Sequence, residues 1–180
     1  MVILLAVVIG LSYTLSTRET TRNTSFYQQS LLGELYNKVE IQMRSVENIS
    51  LAAARNAVLT EYAGGSGDPY ADYRKREELK SFLMNIVNAT PVIQSIHYYT
   101  NHEIPSDTLG PVVFIDNEKT PDEPWYGSIE NADFAWLGEH RIKSFNGEIP
   151  VISFARKVYS EAGDYRGILV LNLKRPPSKI

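Results

Sequence analysis

The chain has 180 residues, a net charge of −3 at pH 7 and no cysteine, which is enough length for one domain of ordinary size and an attachment segment. The slightly acidic balance gives no indication of a nucleic-acid partner. The lack of cysteine excludes a disulfide framework, an iron–sulfur cluster and thiol chemistry.

Residues 1–17 are interpreted as the outer part of a transmembrane anchor whose upstream sequence is missing. Residues 1–15 are uncharged and mostly aliphatic, whereas a complete membrane-spanning helix needs about 20 such residues. The basic start and the small-residue cleavage site of a signal peptide are not clear. The alternative is a buried core helix. We favour the anchor because nothing breaks the chain between this segment and the helix that follows.

Residues 18–65 are predicted to form one long membrane-proximal helix. Its apolar residues recur at spacings of 3, 4, 7, 3 and 4, which is the pattern of a heptad seam with one interruption, at Gln42. The seam consists of Leu32, Leu35, Val39, Val46, Ile49 and Ala53. Such a helix can pack on a sheet and can pair with its copy in a homodimer. The glycine-rich residues 63–67 are predicted to end it.

Residues 66–174 are predicted to form the folded domain, and residues 175–180 a tail or linker. A second helix begins with Asp68 as its N-cap and Pro69 at its first position. Its apolar residues recur at helical spacing and are assigned to the core. They are Leu79, Phe82, Leu83, Ile86 and Val87.

Beyond Pro91 the apolar period changes to two, which is typical of strands. The predicted strands cover residues 92–100, 111–115, 136–144, 151–159 and 167–173. Two helices followed by consecutive strands, without β–α–β alternation, indicate an α+β fold in which the helices pack on an antiparallel sheet.

The last predicted strand has two different faces. Leu169, Leu171 and Leu173 share one face, which we expect to pack on the long helix. Asn172 lies on the opposite face, where loops are expected to roof a cavity. A buried Asn side chain needs a partner, and that partner is a ligand, a water molecule or another side chain.

Together these features resemble the Cache superfamily, the extracytoplasmic relatives of PAS domains. The matching features are the membrane exit with its long helix, the second helix led by Pro69, the pair Trp125–Tyr126, and the hairpin VISFARKVYSEAGDYRGILVLNL. The chain is most similar to the sensor regions of YesM-type sensor histidine kinases of Gram-positive bacteria, followed by those of membrane-bound AraC-type regulators. The resemblance implies a PAS/Cache-like sheet, an extracellular location and a small-molecule ligand.

The resemblance also implies a ligand site between the sheet and the loops after the second strand. The implied site residues are Tyr98, Asp116, Trp125, Tyr126, Arg141, Ser153 and Asn172. Relatives that bind amino acids carry an Arg and an Asp at the positions of Glu123 and Asn172, where these groups would bind a carboxylate and an ammonium group. Their replacement argues against an amino-acid ligand and favours a neutral, hydroxyl-rich ligand such as a sugar.

Catalytic and metal-binding motifs are absent from the sequence. It contains no HExxH, GxSxG, P-loop or GxGxxG pattern, so no enzymatic activity, metal or other cofactor is expected. The carboxylates of residues 116–123 are interpreted as an acidic solvent loop rather than as the acid pair of a glycosidase.

A second hypothesis for the whole chain is a membrane-anchored spacer that dimerises through its long helix and binds no small molecule. Packing of the large side chains Tyr98, Trp125 and Trp136 on one another would fill the expected pocket. Such packing would favour the spacer over the sensor.

Overall fold

The structure, a computed structural model, describes residues 2–62, 68–100, 110–145 and 147–175, with side chains from residue 27 onward. The chain divides into two units, Met1–Ser45 and Val46–Ile180. The first unit is helical, and the second contains the sheet.

Helix α1 (Val2–Ala54) forms the first unit and contributes its last residues to the second unit. In the first unit, the large apolar side chains Tyr27, Leu31, Leu32, Leu35, Tyr36, Val39, Ile41 and Met43 are exposed. The first residues of the predicted heptad seam therefore lie on the surface of this unit. Within the described ranges, no helix combines the length and the hydropathy that a membrane span requires.

The long helix ends earlier than predicted. Helix α1 stops at Ala54, and Asn56 then begins the short helix α2 (Ala57–Thr60). Oδ1 of Asn56 accepts a 2.9 Å hydrogen bond from the backbone N–H of Val58. This capping bond competes with continuation of the first helix, because a short polar side chain can replace a helical backbone partner. Residues 63–67, the predicted end of the helix, lie outside the described residues.

Helix α3 (Pro69–Ala89) begins where it was predicted to begin. Oδ1 of Asp68 accepts a 2.9 Å hydrogen bond from the backbone N–H of Tyr70, which is the expected N-cap. Leu79 and Leu83 are fully buried. The predicted apolar stripe therefore packs in the core.

All of the predicted strands are present in the second unit. They are β1 (Ile93–Thr100), β2 (Val112–Asp116), β3 (Phe134–Ser144), β4 (Gly147–Tyr159) and β5 (Tyr165–Lys174). Two 3-10 helices, η1 (Asn117–Asp122) and η2 (Tyr126–Ser128), lie between β2 and β3.

The strands form one mixed sheet in the order β2-β1-β5-β4-β3. The pairs β1–β5, β4–β5 and β3–β4 are antiparallel, as predicted. Strands β1 and β2 are parallel, which corrects the prediction of a purely antiparallel sheet. A period of two identifies a strand but not its direction. Parallel neighbours need a longer connection than a hairpin, and the pattern within the two strands does not show in which direction the chain returns.

The main core lies on one face of the sheet, called here the helix face. Leu169, Leu171 and Leu173 of β5 pack there with Val46 of α1 and Leu79 of α3. The prediction that the leucine face of the last strand packs on the long helix is confirmed.

Two polar contacts also join the end of α1 to the sheet. Nε1 of Trp136 on β3 donates a 2.8 Å hydrogen bond to Oε1 of Glu47. Nε of Arg156 on β4 donates a 2.9 Å hydrogen bond to Oγ of Ser50. Both hydrogen bonds are partly buried, and they attach this helix end to the β3–β4 hairpin.

Candidate functional site

A row of polar side chains crosses the sheet on the face opposite the helices, called here the roof face. Ser95 on β1, Asn172 on β5 and Ser153 on β4 are in register and buried. Oγ of Ser153 donates a 2.6 Å hydrogen bond to Oδ1 of Asn172, and Nδ2 of Asn172 donates a 3.0 Å hydrogen bond to Oγ of Ser95. These residues, together with His97 and His140, are called the polar row.

Two histidines extend the row, and His97 does so without adding a buried charge. His97 follows Ser95 at a spacing of two, so it lies on the same face of β1, and it is buried. Nε2 of His140 on β3 lies 3.5 Å from Oγ of Ser153. Burial, reinforced by the nearby His140, lowers the pKa of His97 from 6.5 to about 4. The imidazole of His97 is therefore neutral at pH 7 and can exchange hydrogen bonds with a neutral partner.

The other half of the roof face is apolar and covered by the segment between β2 and β3. The ring of Trp125 is buried and meets the ring of Tyr99 edge-on, with 5.3 Å between their centroids. The cluster, called here the roof-side core, consists of Tyr99, Trp125, Ile129, Ala155, Ile168 and Val170. Aromatic and aliphatic side chains therefore occupy this half of the face.

Two tyrosine hydroxyl groups fasten the covering segment to the sheet. The hydroxyl of Tyr99 donates a 2.8 Å hydrogen bond to Oε1 of Glu123, and that of Tyr165 donates a 3.0 Å hydrogen bond to Oδ1 of Asn117. Burial raises the pKa of both phenols, and that of Tyr165 reaches about 12. Both hydroxyls therefore remain donors at neutral pH, and Glu123 serves as an acceptor for the sheet.

Several predicted site residues lie on or next to the roof face. Ser153 and Asn172 are in the polar row, whereas Trp125 belongs to the roof-side core and Tyr126 packs against it. Asp116 ends β2 and caps η1, since its Oδ1 accepts a 3.0 Å hydrogen bond from the backbone N–H of Glu118. Ser153 and Asn172 are therefore the predicted residues that come into direct contact.

Tyr98 and Arg141 do not lie with them. Tyr98 is buried on the helix face, where its ring meets Phe114 edge-on and its hydroxyl donates a 3.2 Å hydrogen bond to the carbonyl oxygen of Arg166. Arg141 is exposed and forms a 3.3 Å ion pair with Glu148. Because side chains alternate between faces, residues next to His97 and His140 point away from the polar row. Both residues are therefore removed from the candidate site.

Ser95, His97 and His140 were not predicted as site residues. Their spacing in the sequence shows that Ser95 and His97 share one face of their strand. Their alignment with Asn172 depends on the register of non-neighbouring segments, which the sequence pattern does not specify. Among the residues that the structure describes, no cluster of His, Asp or Glu is arranged to hold a metal ion.

A cavity of about 140 Å³ opens at the end of the sheet, beside the polar row. Ser95 belongs both to the row and to the lining of this cavity. The other lining residues are Gln94, Gly110, Pro111 and the β3–β4 hairpin residues Ile142, Lys143, Ser144, Phe145 and Ile149. The site as a whole thus combines neutral hydrogen-bonding groups and one lysine with apolar side chains. A few polar groups among apolar side chains are the usual composition of a small-molecule pocket.

Comparisons with known proteins bear on the fold. Neither a protein-family model nor a curated protein sequence matches the chain. A solved structure, described as a domain of a sensory box/GGDEF family protein from Vibrio parahaemolyticus, is similar at a TM-score of 0.59 and 15% identity. The match covers 86% of this chain, which spans only 60% of that chain. The predicted α+β, PAS-like fold is confirmed by this likeness together with the sheet order.

Proposed function

We propose that this chain is the ligand-sensing domain of a bacterial transmembrane signalling receptor and that its sheet lies on the extracellular side. The observation that carries the proposal is the polar row across the roof face. Burying hydroxyl, amide and imidazole groups inside a sheet is less favourable for folding than burying apolar groups, and natural proteins retain such departures mainly at functional sites. The sensory protein with a similar fold supports a role in signal sensing.

The same proposal gives the sensor a route from ligand to helix. Strand β4 carries Ser153 on the roof face and Arg156, which binds Ser50 of α1, nearby along the strand. Strand β3 likewise carries His140 and Trp136, and Trp136 binds Glu47 of α1. A ligand that contacts the polar row would favour one arrangement of this hairpin and of the attached helix end. It can shift the equilibrium only by the difference between its affinities for the two arrangements.

The proposal extends to attachment, assembly and output. Residues 1–17 would contribute to a membrane anchor, as the uncharged aliphatic sequence indicates. Exposed apolar residues of the first unit, among them Leu32, Leu35 and Val39, would pair with a second copy in a homodimer. The signal would then pass to a cytoplasmic histidine kinase or transcription regulator.

A thermal-shift screen of the whole chain in detergent micelles tests the sensing function. The probes are monosaccharides, amino acids, short organic acids and amines. A ligand that binds only the folded state raises the melting temperature in a dose-dependent manner. We expect such a rise for one class, with loss of the rise in Ser153→Ala. The matched control is Ser128→Ala, an exposed serine outside the polar row, which should respond like the wild type.

A spacer without a ligand is the second candidate function. It is favoured by the roof-side core, in which Trp125 packs on Tyr99 and apolar side chains occupy that half of the face. The three large side chains considered above do not fill one pocket together, because Trp125 lies in the roof-side core whereas Tyr98 and Trp136 belong to the main core on the helix face. A flat thermal-shift response to all four classes, from a well-folded protein, would favour the spacer and contradict the sensor.

A further inference from the structure

We infer that the cavity beside the polar row binds one neutral, six-membered sugar ring, either as a free monosaccharide or as the terminal ring of a glycan. The inference rests on the proposed sensing function and names the ligand class and its location. It moves the ligand away from Trp125, whose side chain packs in the roof-side core, to the cavity at the end of the sheet.

The strand register places the cavity on the same face as the polar row. Ile142 is paired with Ile149 and Ser144 with Gly147 across the β3–β4 hairpin. Because paired residues share a face and His140 precedes Ile142 by two positions, these side chains continue the row beyond His140. Ser95 closes the other side of the cavity. A ligand in the cavity would therefore contact the hydrogen-bonded row through Ser95.

The size of the cavity fits one ring. Its volume is about 140 Å³, and an apolar cavity of about 150 Å³ accommodates one benzene molecule. Among the described residues the cavity is open on one side, so the hydroxyl groups of a sugar can extend out of it. A second ring would have to lie outside the cavity, which makes the end of a glycan acceptable and an internal ring of a long chain unfavourable.

The lining offers both kinds of contact that a sugar ring requires. The faces of a pyranose ring carry C–H groups, whereas its edges carry hydroxyl groups. Ile142 and Ile149 present aliphatic surface, and Phe145 at the rim is 73% exposed, which leaves its ring free to stack on a sugar face. Ser95 and Ser144 supply hydroxyl groups that both donate and accept hydrogen bonds.

Charge argues against a cationic ligand. The charged residues near the tip of the hairpin are Arg141, Lys143 and Glu148, whose positions alternate with that of Ile142 along the strands. Arg141 and Glu148 are paired with each other at 3.3 Å. Lys143 is nevertheless the one charged residue among the described residues that line the cavity, where it can donate hydrogen bonds to sugar hydroxyl groups. An ammonium group would find no partner of opposite charge among these lining residues.

The test combines isothermal titration calorimetry with amide NMR spectra of the whole chain in detergent. The probes are D-glucose, D-galactose and D-xylose as free rings, and maltose and cellobiose as terminal rings. A ligand of about twelve non-hydrogen atoms is expected to bind with a dissociation constant of roughly 0.1–1 mM. Amide signals of Ser144 and Phe145 should shift on binding. Comparing the affinities for the monosaccharides and the disaccharides shows whether the ligand is a free monosaccharide or the terminal ring of a glycan.

Matched variants locate the site. Phe145→Ala should weaken sugar binding about fivefold to tenfold, and Ser144→Ala about threefold to tenfold. Tyr70→Ala removes an aromatic ring that is 70% exposed on α3 and should bind like the wild type. Since Phe145 and Tyr70 are both exposed, neither variant is expected to unfold the domain.

The contrary outcomes separate the two proposals. Sugar binding that is equally strong in Phe145→Ala and in the wild type would overturn the assignment of the cavity. Binding of another class, with shifts at Ser144 and Phe145, would overturn the sugar while leaving the sensing function intact. No binding of any probe class by the folded chain would overturn both.

Discussion

Ser153 on β4 donates a 2.6 Å hydrogen bond to Oδ1 of Asn172 on β5, and both side chains are fully buried. Since Asn172 also donates to Ser95 on β1, one amide joins three neighbouring strands. Each of these groups is satisfied by the others, so that removal of one leaves buried partners without a hydrogen bond. The polar row therefore contributes to stability as well as to the candidate site.

Replacement of Asn172 by Ala should lower the free energy of unfolding by about 2–3 kcal/mol, because two buried hydroxyl groups lose their partner. Ser153→Ala should cost less, and the double variant should cost less than the sum of the two. Urea denaturation measures all three. Asn88→Ala, at an exposed position of α3, is the control and should not destabilise. Strict additivity of the double variant would contradict a coupled row.

Gly167→Ala should destabilise the protein by about 3 kcal/mol or more or prevent folding. The glycine has a φ of +148°, and a Cβ atom there would overlap the backbone carbonyl oxygen of Tyr99. Gly127→Ala is the matched control, since no heavy atom lies within 4 Å of the added Cβ. Circular dichroism during thermal unfolding compares the two. If Gly167→Ala were as stable as Gly127→Ala, the backbones of β1 and β5 would not approach each other at Gly167 as closely as the structure shows.

Stability should fall as the pH is lowered from 8 to 5. The pKa of His97 is about 4 in the folded protein, because of its burial and the nearby His140, and 6.5 as the reference value. The unfolded chain therefore binds a proton between these values that the folded protein does not, so His97 stabilises the fold fully above pH 6.5 and progressively less below it.

The loss attributable to His97 is about 2 kcal/mol between pH 8 and pH 5. Urea midpoints measured at these two pH values, for the wild type and for His97→Gln, test it. The variant cannot titrate at this position, and its pH dependence should be flatter by that amount. Equal pH dependence of the two proteins would mean that His97 is not the responsible group.

Trp125→Ala should destabilise the fold rather than act on ligand response alone. The indole is 5% exposed and packs on Tyr99 in the roof-side core, and truncation of a buried Trp typically costs about 3–5 kcal/mol. Differential scanning calorimetry should show a markedly lower melting temperature. The control is Tyr73→Ala, whose side chain is more than half exposed on α3. If Trp125→Ala were as stable as the wild type, Trp125 would again be a candidate residue of the ligand site.

The contact between helix and sheet at Glu47 should contribute measurable stability. Trp136→Phe keeps a ring against Phe154 but removes the N–H group that donates to Glu47 at 2.8 Å. We expect a loss of about 1–2 kcal/mol in urea denaturation, because the bond is partly buried and its acceptor is charged. Glu40→Gln, which removes an exposed ion pair with Arg44, should change stability by less than about 0.5 kcal/mol. If Trp136→Phe left the free energy of unfolding unchanged, this hydrogen bond would not stabilise the contact between the helix and the sheet.

The sequence by itself determined where the helices and strands lie along the chain and which side chains of the last strand share a face of the sheet. The alternation of β5 was enough to place Leu169 and Leu171 on the helices and Asn172 on the other side, because side chains in a strand alternate strictly. Asp68 and Pro69 were likewise enough to place the start of α3, since capping acts over a few neighbouring residues.

Tertiary structure alone decided how the strands align and which side chains meet. The parallel pairing of β1 with β2 and the alignment of Ser95 with Asn172 and Ser153 join residues that are distant in sequence, and their register depends on packing across the whole sheet. Tyr98 was placed in the ligand site on the family resemblance alone. The structure instead buries its side chain on the helix face. Local pattern carries the period of a strand, but its partner, direction and neighbours are properties of the folded chain.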